Sequence, residues 1–368
     1  MTEHIYALKQ LEPIVRCPST KEPLRVLLPS DFGKFHTVPK KAMESNIEAA
    51  FVNDSGTCWY LVSDGICDFR EHSVSGDETP ALTRTQAGLQ VSNDVAKWYD
   101  EFGWQVGGSG RYKDSEFFSQ NTDTSYGLYE SLSHHDQRMW FAGSGKFFLD
   151  AASGAIAHRE YLAYSETKEF RVCVDFSRTA LLEAKQKLRQ HGIYVLANVC
   201  ALPFIDDSFH GVMSGYTVQH IHGDEQKLAI SELYRVLSPE HSLCIMATQE
   251  VSRLHQRIYR IFRRFNPAKK SEDAGLRDGS DRPDPPFQLY GSIRNYAWWA
   301  GFVKELCPNS EIHTLRLWSQ HEYLRCRVSM RSLRILRALE TLWSKQIAPH
   351  ADLISAVLTK PRISVDGD

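Results

Sequence analysis

The chain has 368 residues, 43 Lys plus Arg against 45 Asp plus Glu, a formal net charge of −2 and 42% hydrophobic residues. That near-neutral balance excludes a protein whose main task is to coat nucleic acid or an anionic membrane, and no stretch approaches the roughly 20 apolar residues of a membrane helix. The opening Met1-Thr-Glu-His-Ile-Tyr6 lacks the basic flank and apolar core of a signal peptide, so a cytoplasmic location is expected.

In chain order, residues 1–72 read as a small β-rich module. Ile14 to Leu24 opens it, and Cys58 to Phe69 closes it with a hairpin pattern around Ser63-Asp-Gly65. The segment resembles the zinc-ribbon-like module found beside many methyltransferases, through Cys17-Pro18, Leu24 and Gly65-Ile66. Thr20 stands where that module has its second cysteine, so four zinc ligands cannot be assembled and no metal is expected. The eight cysteines form no C-x-x-C pair and read as small buried hydrophobes.

Residues 73–140 read as a linker and a helical cap. A polar stretch from Ser73 to Gln90 leads to an aromatic helical piece at Val95–Trp104, a glycine-rich Gly107–Gly110, and a helix between Asp123 and Phe141 that carries His134 and His135. From 141 to 360 strands and helices alternate. Phe147–Leu149 is an apolar strand ending in Asp150, followed by the small residues Ala151, Ala152, Ser153 and Gly154. A second strand, Arg171–Asp175, ends in another acid about the distance downstream that a ribose-binding carboxylate occupies in doubly wound nucleotide sites. Helix Arg178–Leu188, strands near Ile193–Asn198 and Gly211–Ser214, a helix over Asp224–Leu237 and strand Leu243–Ala247 follow. Such alternation predicts a parallel sheet covered on both faces.

The last third is less regular. Arg253, Arg257, Arg260 and Arg264 recur at helical spacing, opposite Leu254, Ile258 and Ile261. Residues 266–286 read as a loop, a second basic stretch holds Arg325 to Arg337, and Leu353–Thr359 reads as the closing strand, with a tail from 361 to 368.

Set together, these pieces resemble a class I S-adenosylmethionine-dependent methyltransferase of the type 11, or ubiquinone-biosynthesis, group. Leu149–Ile156 stands for its glycine turn and Asp175 for its ribose acid. Asn198–His210 matches the pattern DAxxLPFxDxSFD, and His220 onward through Glu232, Arg235-Val-Leu237 and Pro239 matches HxxDxxxxxxExxRVLxPGG. Ala152 and Ile156 replace glycines, and Asn198, His210, Glu240 and His241 also depart from the pattern.

The resemblance implies a Rossmann-like α/β fold: a doubly wound, seven-stranded, mostly parallel sheet with an antiparallel last strand, beside the N-terminal module. It implies S-adenosyl-L-methionine as cofactor. Asp150, Ala151, Ala152, Ser153 and Gly154 would line its methionine end, and Asp175 its ribose, so that two acids meet at one sheet edge. Phe176 would face the adenine, Asn198, Val199 and Cys200 its edge, and Ser214, Gly215 and Tyr216 the sulfonium, with Tyr99 and Tyr112 closing from the cap. For a general base, His220 leads, with Tyr216 and His222 as rivals. Insertions at about 251–294 and 318–347, with Tyr290, Tyr296, Trp298, Trp299 and Trp318, would shape the acceptor pocket. The expected activity is methyl transfer to a small molecule. An RNA methyltransferase and a non-catalytic cofactor-binding protein are the alternatives.

Overall fold

A computed structural model describes residues 3–36, 38–70, 86–108, 112–114, 124–265, 291–325 and 329–362. The linker reading at 73–85, the loop at 266–286 and Tyr290 lie outside them.

The strands are β1 (Leu24–Leu27), β2 (Ile47–Asn53), β3 (Trp59–Ser63), β4 (Ile66–Asp68), β5 (Gly145–Ala151), β6 (Lys168–Asp175), β7 (Gly192–Leu196), β8 (Val212–Gly215), β9 (Ser242–Thr248), β10 (Glu311–Arg316) and β11 (Leu353–Thr359). They form one sheet in the order β1-β2-β3-β4-β7-β6-β5-β8-β9-β11-β10. The sheet therefore has eleven strands, not the expected seven. The four extra strands form an antiparallel ribbon whose last member, β4, pairs in parallel with β7, Ile66 opposite Tyr194. Without that pairing β7 would present a row of open backbone groups at a sheet edge, and the ribbon satisfies them. Strands β7, β6, β5, β8 and β9 run parallel, while β11 lies antiparallel to both β9 and β10, as expected for the closing strand.

Both faces of this sheet are buried. Phe147, Leu149 and Ala151 of β5 enter one apolar cluster and Phe148 the other, which is why the strand reads as an unbroken apolar run. Among the helices, α1 (Glu3–Leu11) buries Ile5, Leu8 and Leu11. The cap contains α2 (Gln86–Trp98), which starts within the expected linker, and α3 (Thr124–Asp136). Helix α4 (Arg178–Leu188) begins at Ser177, whose Oγ accepts from the Ala180 amide at 3.1 Å. Helix α5 (Gln226–Arg235) buries Ala229, Ile230 and Leu233 but leaves Leu228 exposed.

Helices α6 (Arg253–Phe265), α7 (Tyr296–Leu306), α8 (Gln320–Arg325), α9 (Met330–Leu342) and α10 (Ser344–Ile347) complete the chain. No helix among the described residues is long and apolar enough to cross a membrane. In the N-terminal ribbon Cys17 and Cys58 lie 3.8 Å apart with the Tyr60 hydroxyl 3.1 Å from Cys17 Sγ. All seven described cysteines are free and buried.

Candidate active site

Strands β6 and β8 flank β5 on opposite sides, so the chain reverses its direction of strand addition at β5, and a crevice opens at the carboxyl ends of these strands. A cleft of about 1050 Å³, counted with its mouth, lies there. Its floor is the turn after β5. Ala152, Gly154 and Ile156 all hold left-handed backbone, with φ of 56°, 53° and 51°. The glycine-type turn is thus kept where two of its three residues are not glycine, a strain of roughly 1–2 kcal/mol per residue. Gly154 is required on a second ground, because a Cβ there would come within 2.5 Å of the Trp104 ring.

Asp175, at the end of β6, faces this turn. Its Oδ2 accepts from the Gly154 amide and its Oδ1 from the Ser177 amide, both at 2.8 Å. Burial raises its pKa to about 6, against the pull of those two amides. A carboxylate has about four acceptor sites, so two remain for a ligand's hydroxyls. Phe176, Asn198, Val199 and Cys200 line the same side. Asn198 Oδ1 accepts from the Cys200 amide at 2.9 Å, which fixes the carboxamide and leaves it one further lone pair.

The cap forms the opposite wall. Tyr99 stacks on Trp104, with ring centroids 5.1 Å apart and planes at 23°, and Asp114 lies beside them. Burial pushes the Asp114 carboxyl up to about 7, although a hydrogen bond from Tyr99 opposes the shift. Asp100 accepts from the Ser177 hydroxyl and ties this wall to α4.

At the far end lie Gly215, Tyr216, Thr217, His158 and Tyr161. Tyr216 follows β8 with φ 56°. Its Oη lies 2.8 Å from His134 Nε2 and accepts from Arg316 Nη2 at 2.8 Å, while Arg316 Nη1 donates to Glu130 at 2.6 Å. Burial first, then the neighbouring His158, Arg316 and Arg337, holds the His134 imidazole well below its ordinary pKa.

Of the residues singled out from sequence, Ala152, Ser153, Gly154, Asp175, Phe176, Asn198, Val199, Cys200, Gly215, Tyr216, Tyr99 and His220 line one cleft. Asp150, Ala151, Ser214 and Tyr112 are not among the residues that line it. Asp150 is 1% exposed and turns to Arg171 on β6, whose Nε and Nη2 donate to its Oδ2 at 3.0 and 2.5 Å. A guanidinium with no exposed surface needs an anion at contact, and Asp150 is bound to that need; the two acids do not meet at the cleft. Ala151 and Ser214 are enclosed in the sheet. Tyr112 lies outside, its hydroxyl donating to Glu183 at 3.1 Å and accepting from Lys187 at 3.0 Å.

His220 sits at the rim, its ring 6.4 Å from Tyr99. None of Tyr296, Trp298, Trp299 and Trp318 lines the cleft: Trp299 is buried in the main apolar core, and Trp318 clusters with Tyr126, Tyr129 and Tyr323. Sequence reading missed Trp104, Asp114, His158 and Tyr161. The cap residues carry no motif, and neither His158 nor Tyr161, after β5, falls in a recognisable pattern.

Residues 149–263 match the family described as "Methyltransferase domain". No curated protein matches the sequence. Similar solved structures include the YcgJ protein from Bacillus subtilis, 14% identical over 62% of this chain and 99% of that one, with a TM-score of 0.38. Another is a SAM-dependent methyltransferase from Archaeoglobus fulgidus, 15% identical over 67% and 98%, with a TM-score of 0.39. A third is phosphoethanolamine N-methyltransferase 2 of Haemonchus contortus in complex with phosphomonomethylethanolamine and S-adenosylhomocysteine, 16% identical over 68% and 60%, with a TM-score of 0.41. The chain carries a methyltransferase domain; it is an enzyme, and its cofactor is S-adenosylmethionine.

Proposed function

We propose that this methyltransferase domain, at residues 149–263, transfers the methyl group of S-adenosylmethionine to a small-molecule acceptor, in the manner of the ubiquinone-biosynthesis group it resembles. The observation that carries the reading is the cleft itself: about 1050 Å³, walled by the cap on one side and ended by His158, Tyr161 and Tyr216 on the other. A concave, largely apolar cleft with a few convergent polar groups is the usual setting of a small-ligand site.

In this reading Asp175 takes the ribose diol and Phe176 packs on the adenine. Asn198 meets the adenine edge, and the turn at Ala152–Gly154 accommodates the methionine part. The sulfonium then lies toward Gly215 and Tyr216. The methyl is already activated by the positive sulfur, so the protein's task is alignment of the acceptor for in-line displacement and exclusion of water. Tyr99 and Trp104 supply that exclusion from the cap. The domain division follows: residues 1–72 as a structural ribbon, 73–140 as the cap, 141–360 as the catalytic unit.

An RNA acceptor has one feature in its favour, the exposed Arg253, Arg257, Arg260 and Arg264 on α6. The two readings separate when the protein is incubated with methyl-labelled cofactor and the RNA and low-molecular-mass fractions of a cell extract. Label in the small-molecule fraction, lost in Asp175→Ala, is the expected result. Label confined to RNA overturns the small-molecule reading.

A further inference from the structure

Behind the far end of the cleft three ligand-type side chains converge from two elements. Glu130 and His134 stand one turn apart on α3 and so share a face, and His158 belongs to the turn after β5 that lines the cleft. One donor atom from each lies within 4.8 Å of the other two, and the rings of His134 and His158 are 4.3 Å apart. Bonds of about 2.0–2.2 Å to nitrogen and oxygen would bridge such a triangle with small side-chain adjustments.

A second observation concerns His134 alone. It is completely buried. Nε2 meets Tyr216 Oη at 2.8 Å, whereas Nδ1 has no hydrogen-bond partner among the described residues. A ring nitrogen left so costs about 1–3 kcal/mol. The 2.8 Å contact with Tyr216 fits either tautomer; with the proton on Nε2 the ring keeps a bare lone pair on Nδ1. That is the tautomer of a metal-bound histidine whose other nitrogen is held by an outer group. Arg316 Nη1 donates to Glu130 Oε1 at 2.6 Å, which holds that carboxylate in place.

We propose that Glu130, His134 and His158 form a binding site for one divalent first-row transition ion. Two imidazoles and a carboxylate suit zinc, manganese or iron better than magnesium or calcium, which prefer oxygen alone. Three protein ligands leave a position open, as in sites that bind water or substrate. Since His158 and Tyr161 line the cleft, that position faces the space for the acceptor, where an ion would hold and polarise an acceptor oxygen. The ion site stands on its own donors; only this last use rests on the small-acceptor reading.

The test uses the full-length protein, stripped with a chelator and titrated with Zn²⁺ by calorimetry and with Co²⁺ by visible absorbance. The expected result is one ion per chain, with Co²⁺ bands that report nitrogen and oxygen ligands. Glu130→Gln, His134→Asn and His158→Asn should each weaken binding at least about tenfold, the loss seen when even an outer partner is removed. Circular dichroism confirms that each variant is folded; if His134→Asn is not, the other two carry the test. Absence of ion binding to the wild type overturns the site, as does affinity unchanged in Glu130→Gln and His158→Asn. Titration of the same wild-type sample with S-adenosylhomocysteine reports the cofactor site separately, so that failure of either is distinguishable from failure of the other.

Discussion

Asp150 separates two accounts of the sheet edge, one in which it grips cofactor and one in which it holds Arg171. In the structure Arg171 is 0% and Asp150 1% exposed, and the guanidinium also donates to the Tyr161 carbonyl at 2.5 Å. Asp150→Asn keeps the shape of the side chain and removes its charge, leaving Arg171 buried without a counter-ion. Breaking one partner of such a pair costs about 3–5 kcal/mol, a large share of the ~5–15 kcal/mol that holds a folded protein together. The variant should therefore show a urea unfolding midpoint well below the wild type. Folded Asp150→Asn should bind S-adenosylhomocysteine within about threefold of wild type, because no atom of Asp150 lines the cleft. The double variant Asp150→Leu, Arg171→Met, which removes both charges, should recover most of the lost stability. Unchanged stability in Asp150→Asn, together with a more than tenfold loss of affinity in calorimetry, would refute the assignment of this acid to the pair.

Ala152→Gly should raise stability by about 0.5–1 kcal/mol in urea melts, since it removes left-handed strain at a half-buried site and adds back only glycine's chain entropy. Ile156→Gly relieves the same strain yet should destabilise by about 2 kcal/mol or more, because Ile156 is buried in the core. Affinity for S-adenosylhomocysteine should fall as pH drops through about 6, where Asp175 takes up a proton and loses acceptor capacity. Asp175→Asn should flatten that part of the profile in calorimetry. The same raised pKa works in the opposite sense on the free protein: the folded state favours protonated Asp175, so its contribution to stability declines as pH rises from about 4 to about 6 and is level above. Tyr216→Phe strips a hydrogen bond from both Arg316 and His134 at once and should cost about 2 kcal/mol or more, read by thermal melting.

Much of the frame follows from residue order alone. The apolar runs at Phe147–Leu149, Val172–Val174 and Leu243–Ala247 can be buried only in a sheet covered on both faces, and the helices between them impose parallel neighbours. Asp175, Phe176 and Asn198 fall at strand ends, and strand ends of a parallel sheet share one edge. Local sequence therefore placed them at the cleft, as it placed Ala152, Gly154, Gly215 and Tyr216. What it left open are pairings made across the chain. Asp150 looked like its partner acid until β6 put Arg171 beside it, and a buried cation outranks a solvated edge because its desolvation is the larger energy.

The ribbon of β1–β4 reads as a module apart. Only the open edge of β7 decides that it extends the same sheet. Glu130 and His134 lie four apart on one helix, but 23 residues and a strand separate His158 from His134. Their convergence, like that of Trp104 on Gly154, exists because the cap folds back over the carboxyl edge. Short-range periodicity records which side chains are buried; which of them face one another is set by packing between segments far apart in the chain.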